Sequence, residues 1–183
     1  RGQAMTIIGG RKRTTADGIK FTRGANSEVS LGAILNGSVK FWANIPFKLD
    51  VPFVAGSTTA YLWTKRVDAD NRLELYFDTA DGMLTMQRRS AAVTLYTIKT
   101  VLASWVAGQR YNILFSISNT GGVRLILDGG AAVTNADLAA LPAGGAIIIG
   151  DQTVAGAVGI SGIVGPVTQG NDDLTANEEA DLN

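Results

Sequence analysis

Through the middle of the chain, apolar and polar residues alternate with a period of two. In SVKFWANI the residues Val39, Phe41, Ala43 and Ile45 fall on one face, and in RLELYFD Leu73, Leu75 and Phe77 do. RYNILFSIS places Tyr111, Ile113, Phe115 and Ile117 together, and VRLILD does the same with Val123, Leu125 and Leu127. This alternation predicts half-buried antiparallel strands, each with one face on a core. Ile147, Ile148 and Ile149 form a continuous apolar run instead, which predicts a strand buried on both faces. The segment VAGAVGISGIVGPV that follows has small residues suited to bulges or close backbone approach.

Turn signals separate these runs. Asn36-Gly37, Asp81-Gly82, the NTGG at 119–122 and Asp128-Gly129 all carry residues that tolerate positive φ, and Asp17-Gly18 precedes IKF in the same way. Many short strands spaced by such turns, with 22 glycines, predict an all-β fold, a two-sheet antiparallel sandwich or jelly roll. One helical signal stands near the end. In LTANEEADL, Thr175 and Glu178 have capping-box spacing, which predicts a single closing helical turn.

Composition narrows the chemistry. A chain of 183 residues suits one domain with a full core. Formal net charge is zero and charged residues are 17%, so nothing at the level of net charge asks for nucleic acid. The triplet Arg11-Lys12-Arg13 is a weak phosphate signal without interleaved aromatics. The basic beginning and the acidic end (Asp172, Asp173, Glu178, Glu179, Asp181) read either as solvated tails or as opposite charges that attract neighbouring copies. With no cysteine and no histidine, the commonest general base and the thiolate and imidazole metal ligands are excluded. No run reaches the ~18 to 20 apolar residues of a membrane helix. The chain begins at Arg1 with no signal-peptide pattern, which reads as an upstream segment removed or as a fragment.

Taken in order, the segments DGIKFTRGANSEVSL, GSVKFWANI, NRLELYFDTADGMLTM, GQRYNILFSI, GVRLILDGG, IIIGD, SGIVGPV and LTANEEADL resemble the concanavalin A-like, laminin-G-like jelly roll. The resemblance covers roughly residues 16–183, leaving residues 1–15 as an N-terminal arm whose AMTIIGG suits docking on a neighbouring subunit. The chain departs from the family at its Trp-His pair, where Arg110 and Asn112 stand in place of the aromatic packing contact that the resemblance implies. Many family members hold a rim calcium that grips a sugar or protein. Hydrolases of this fold carry Glu-x-Asp-x-x-Glu on one strand, and that spacing is absent here; Asp68, Asp70 and Glu74 come nearest.

Asp68, Asp70 and Asn71 supply oxygens in one loop, the kind of hard ligand that calcium takes. The plainer reading, an acidic connection entering the RLELYF strand, is preferred, because Arg72 sits where a further oxygen ligand would be needed. Sugar recognition sets an exposed aromatic against the apolar face of the ring. Trp63, Tyr96 and Trp105 are the candidates, each with a core role as the competing reading, and Trp42 is assigned to the core or near it. The expected ligand-binding set is thus Trp63, Asp68, Asp70 and Asn71, with calcium at Asp68 and Asp70 as the cofactor reading. Asp128 reads as a turn residue rather than a ligand.

The expected function is non-enzymatic. The main reading is a surface-displayed structural or binding module, a phage decoration or fibre protein among other subunits of a virion. The alternative is a carbohydrate-binding adhesin or lectin-like domain on a cell surface or in the extracellular space. Both are analogies from fold.

Overall fold

The computed structural model describes residues 6–8, 14–15, 18–24, 28–138, 140–153, 158–173 and 181. The triplet Arg11-Lys12-Arg13 and the capping pair Thr175 and Glu178 lie outside them. Among the described residues fifteen strands follow in chain order: β1 (Thr6–Ile8), β2 (Thr14–Thr15), β3 (Gly18–Phe21), β4 (Glu28–Ser30), β5 (Lys40–Leu49), β6 (Ala60–Arg66), β7 (Arg72–Phe77) and β8 (Leu84–Ser90). Then come β9 (Val93–Lys99), β10 (Arg110–Ser118), β11 (Gly122–Leu127), β12 (Val133–Asn135), β13 (Ala146–Ile149), β14 (Gly162–Val164) and β15 (Thr168–Gly170). They build a seven-stranded sheet, β1-β4-β13-β6-β7-β8-β9, and an eight-stranded sheet, β12-β11-β10-β5-β14-β3-β2, with β15 also paired to β5. The sheets pack face to face, so the fold is the expected all-β antiparallel sandwich. Thr6–Ile8 pairs with β4 and Thr14–Thr15 with β3 of the same chain.

The alternating positions meet between the sheets. Phe41, Ala43, Ile45, Phe47 and Leu49 of β5 face Leu73, Leu75 and Phe77 of β7 and Leu84 and Met86 of β8, all buried. Val39 lies outside β5 and is exposed. At one end Trp63 lies between Phe41, stacked at 5.7 Å, and Phe115, edge-on at 5.0 Å. At the other, Trp105 packs edge-on against Phe77 at 5.1 Å and Tyr111 at 4.9 Å, and its indole N–H donates to the Gly82 carbonyl at 2.8 Å. Ile147, Ile148 and Ile149 are buried on both faces of β13. Gly150 turns away directly after them at φ 90°, and a Cβ there would stand 2.3 Å from the Phe21 ring, so only glycine fits.

Two turns bear on the sequence reading. Asp128 and Gly129 both take positive φ, 48° and 67°, and the Gly130 N–H donates to the Leu127 carbonyl at 2.9 Å, closing a type I′ turn. The Asp128 carboxylate also accepts the Asn112 N–H at 2.6 Å, extending the β10–β11 ladder. Between β8 and β9, Ser90 pairs with Val93 across a two-residue loop of Ala91 (φ 48°) and Ala92 (φ 66°). Alanine carries a Cβ penalty of roughly 1–2 kcal/mol in that region. Ala92→Gly is therefore expected to raise unfolding stability by about 1 kcal/mol, read from the denaturant midpoint at unchanged m-value; no gain would show that the turn is relaxed as it stands.

Two cations break the alternation on the core side. Arg88 donates to the carbonyls of Ala140 and Arg72, both at 3.3 Å. Lys65, opposite Leu73 and Ile147, is fully buried and donates to the Ile34 carbonyl (2.7 Å), Asn36 Oδ1 (3.1 Å) and the Gly145 carbonyl (3.3 Å). Its ammonium ties two loops across the end of the sandwich. Burial pushes its pKa down from 10.5 to about 8. Between those values the unfolded chain binds more protons than the native one, so this group makes stability rise with pH. Relative to Lys65→Met, the wild type is expected to gain stability from pH 8 to pH 10 in denaturant titrations; a loss across that window would reverse the assignment.

Candidate functional site

Outward-facing residues of the seven-stranded sheet form three rows set by strand register. Tyr61 of β6 stands opposite Tyr76 of β7, which stands opposite Thr85 of β8. One step along, Thr64, Glu74, Gln87 and Thr97 are aligned across four strands. A further step brings Arg66, Arg72 and Arg89 into one line. Arg72, Glu74 and Tyr76 are alternate residues of a single strand, so the rows lie about 7 Å apart and the face is roughly 13 Å from guanidinium row to tyrosine row.

A bulge in β6 makes the tyrosine row possible. The register shifts between Tyr61 and Trp63, so Leu62 and Trp63 both turn into the core and Tyr61 is left outside. Tyr61 and Tyr76 pack with ring centroids 5.4 Å apart, half-buried. Burial, and after it the Glu74 charge, push the Tyr61 phenol up to about 12; burial first, then Asp78 and Glu74, raise Tyr76 as well. Both phenols are neutral hydrogen-bond donors throughout the physiological range.

Glu74 is the centre of the face, 1% exposed. Its Oε1 accepts from Arg66 Nη1 at 3.3 Å and Gln152 Nε2 at 3.0 Å, and its Oε2 from Arg72 Nε at 2.8 Å. The segment after β13 forms a wall beside it. Thr64 Oγ1 donates to the Gln152 carbonyl at 3.0 Å, and the Tyr61 N–H donates to the Val158 carbonyl at 3.0 Å. At the root of that wall Asp151 is buried, and desolvation, with a smaller contribution from the Glu28 charge, raises its pKa. Removing one partner of a buried charge cluster typically costs 3–5 kcal/mol. Because the arginines here keep some solvent contact, Glu74→Gln is expected to cost about 3 kcal/mol in denaturant unfolding, and an unchanged midpoint would show that the pairs are fully screened.

The residues singled out in the sequence fall unevenly on this map. Trp63 is fully buried on the inner side of β6 and has no face for a ligand, which corrects its place in the expected binding set. Tyr96 and Trp105 are likewise core residues. Trp42 takes the opposite position. Between inward Phe41 and Ala43, it points out of the eight-stranded sheet, where its indole N–H donates to Asp172 at 2.9 Å beside the Lys40–Asp173 ion pair at 2.5 Å. The acidic residues 172 and 173 thus have partners within their own chain.

Asp68, Asp70 and Asn71 occupy the β6–β7 connection at the rim of the arginine row. Asp68 Oδ1 accepts the N–H groups of Asp70 and Asn71, both at 2.7 Å, and the Asn71 amide at 3.1 Å. The Asn71 side chain first, then these backbone donors, hold its carboxyl below the usual carboxylate range. Asn71 Oδ1 accepts the Ala91 N–H at 3.2 Å, joining two hairpins, and Asp70 is 4.0 Å from Arg89. The oxygens of this loop hold the loop together. Among the described residues no three carboxylates gather into a metal-binding group.

Tyr61, Tyr76, Glu74 and the arginines escape single-sequence reasoning because cross-strand register brings them together. The alternation of RLELYF did place Arg72, Glu74 and Tyr76 on one outward face, and that was the available signal. No helix among the described residues is long and apolar enough to cross a membrane.

No family model and no curated protein matches the chain. Solved structures do. Domain 4 of AbnA, a GH43 extracellular arabinanase from Geobacillus stearothermophilus solved with arabinotriose, superposes with TM-score 0.71 at 18% identity, over 97% of this chain and 87% of that one. The CBM40 of the Ruminococcus gnavus IT-sialidase, bound to alpha2,3 sialyllactose, gives 0.64 at 14% identity over 91% and 95%. The Trypanosoma rangeli sialidase in complex with the inhibitor DANA gives 0.69 at 14% identity over 97% of this chain, which spans only 28% of that enzyme. At these identities the likeness establishes the β-sandwich fold, shared with domains of carbohydrate-active proteins.

Proposed function

We propose that the chain is a non-catalytic saccharide-binding module that takes its ligand on the outer face of the seven-stranded sheet. The observation that carries the reading is the ordering of that face: an aromatic pair, the partly exposed amides of Gln87 and Gln152 beside the buried Glu74, and a guanidinium row, over roughly 13 Å. Tyrosine rings offer an apolar surface to the sugar C–H face while their phenols stay available as donors. Gln87, Gln152 and the guanidiniums supply fixed polar partners for hydroxyls. The carboxylate at the centre is held by two arginines and an amide, which fix it as part of the frame of the face.

Two of the similar structures contain bound saccharides, arabinotriose in one and alpha2,3 sialyllactose in the other, which supports the glycan-binding alternative over a virion component. On this reading the module works outside the cell or on a surface, as the extracellular arabinanase does. Wild-type protein is expected to retain at least one glycan class on a broad array. Tyr61→Ala and Tyr76→Ala are each expected to weaken that binding about tenfold, the scale of ~1.4 kcal/mol in lost aromatic contact and hydrogen bonding. Their unfolding midpoints should fall only modestly, since both rings are half-buried on the outer side of the sheet. No retention across the array, or full retention by the Tyr61→Ala, Tyr76→Ala double variant, would refute the reading.

A further inference from the structure

We infer that the saccharide bound on this face carries a carboxylate, seated on the line of Arg66, Arg72 and Arg89; this rests on the saccharide-binding reading of the same face. Like charges directly opposite one another on neighbouring strands destabilise a sheet. Here three cations stand side by side on β6, β7 and β8. Their side chains are 20%, 15% and 29% exposed, so they are reachable from solvent yet partly dehydrated.

Among the described residues the carboxylates that answer this line are Glu74, paired to Arg66 and Arg72, Asp68, which acts on Arg66 from the rim, and Asp70, more than half exposed and 4.0 Å from Arg89. Arg66 donates only to Glu74; Arg72 to Glu74 and the Ala69 carbonyl; Arg89 to the Ala92 carbonyl at 2.8 Å. Each guanidinium has a fork of further N–H donors. Arg89 Nε is buried and meets no acceptor among the described residues. Unused planar donors, among them the buried Arg89 Nε, and partial dehydration together match a planar, bidentate anion, which in a saccharide is a carboxylate.

The geometry also orients the ligand. Arg89 is farthest from Glu74 in the line, so the acidic group sits toward β8, and the chain of sugars runs from there past Gln87 toward Tyr76. The neutral end therefore meets the tyrosines.

The test uses the full chain against oligosaccharides containing uronate or sialate residues, each paired with its carboxyl-reduced counterpart, and against sulfated oligosaccharides, by calorimetry or surface plasmon resonance. The expected result is at least tenfold tighter binding of a carboxylated ligand than of its reduced partner, weakening as salt is raised. That ratio should fall toward one in Arg89→Gln and in the Arg66→Gln, Arg89→Gln double variant. Lys20→Gln, which removes one charge from the opposite sheet, should keep it. Binding of neutral or reduced sugars as tight as of acidic ones, an equal preference for sulfated ligands, or a ratio that survives the double variant would overturn the carboxylate assignment and leave the saccharide-binding reading standing. No binding of any sugar would remove both.

Discussion

The contact on which the rest of the molecule depends is the meeting of Phe41, Trp63 and Phe115 between the two sheets. Each comes from a different strand, and each is central to its sheet. Because side chains in a strand alternate between faces, fixing one residue inward fixes the parity of its whole strand. Phe41 sends Trp42 out, and Phe115 sends Ser116 out. The single irregularity at Leu62 resets the parity of β6, so that Trp63 goes in while Tyr61 and Thr64 stay out. A slip of one residue in β6 would carry Tyr61, Thr64 and Arg66 into the core, so the outer face is as strongly specified as the interior.

Much of the fold was legible in the chain because the inward set is simple. Leu73, Leu75 and Phe77 alternate without a break, as do Tyr111, Ile113, Phe115 and Ile117, and all are buried. The unbroken apolar triplet Ile147–Ile149 is covered on both faces, as its lack of alternation predicts. Legibility ended where parity breaks or where chemistry depends on partners distant in sequence. The bulge that turns Leu62 and Trp63 inward together leaves no mark in AYLWTK. The turn at Ala91-Ala92 has none of the Asn, Asp or Gly that announces a type I′ loop, so β8 and β9 could not be separated by inspection. Trp42, assigned by the sequence to the core or near it, stands outside, as the alternation through Phe41 and Ala43 requires.

The candidate site shows the same division. RLELYF put Arg72, Glu74 and Tyr76 on one side, but the neighbours that give them meaning come from β6, β8 and the segment after β13. Arg66 and Arg89 become adjacent to Arg72 only through pairing, and Gln152 reaches Glu74 from far along the chain. The loop of Asp68, Asp70 and Asn71, which looked like the chemistry, is an internally bonded turn at the edge of that face. Its contribution is to fix the ends of β6 and β7 and, through Asn71, the hairpin that carries Arg89.

Lys65 has a consequence for how the sandwich closes. Three neutral oxygens converge on a positive charge at the end of the core, and that charge is attached to the backbone of a central strand. A dissolved ion in such a cage would be shared with the medium, its occupancy set by whatever salts and chelators surrounded the protein. A tethered ammonium is present at a fixed local concentration from the moment the strand pairs. The closure of that end therefore travels with the polypeptide and is indifferent to the ionic composition of the place where the domain works.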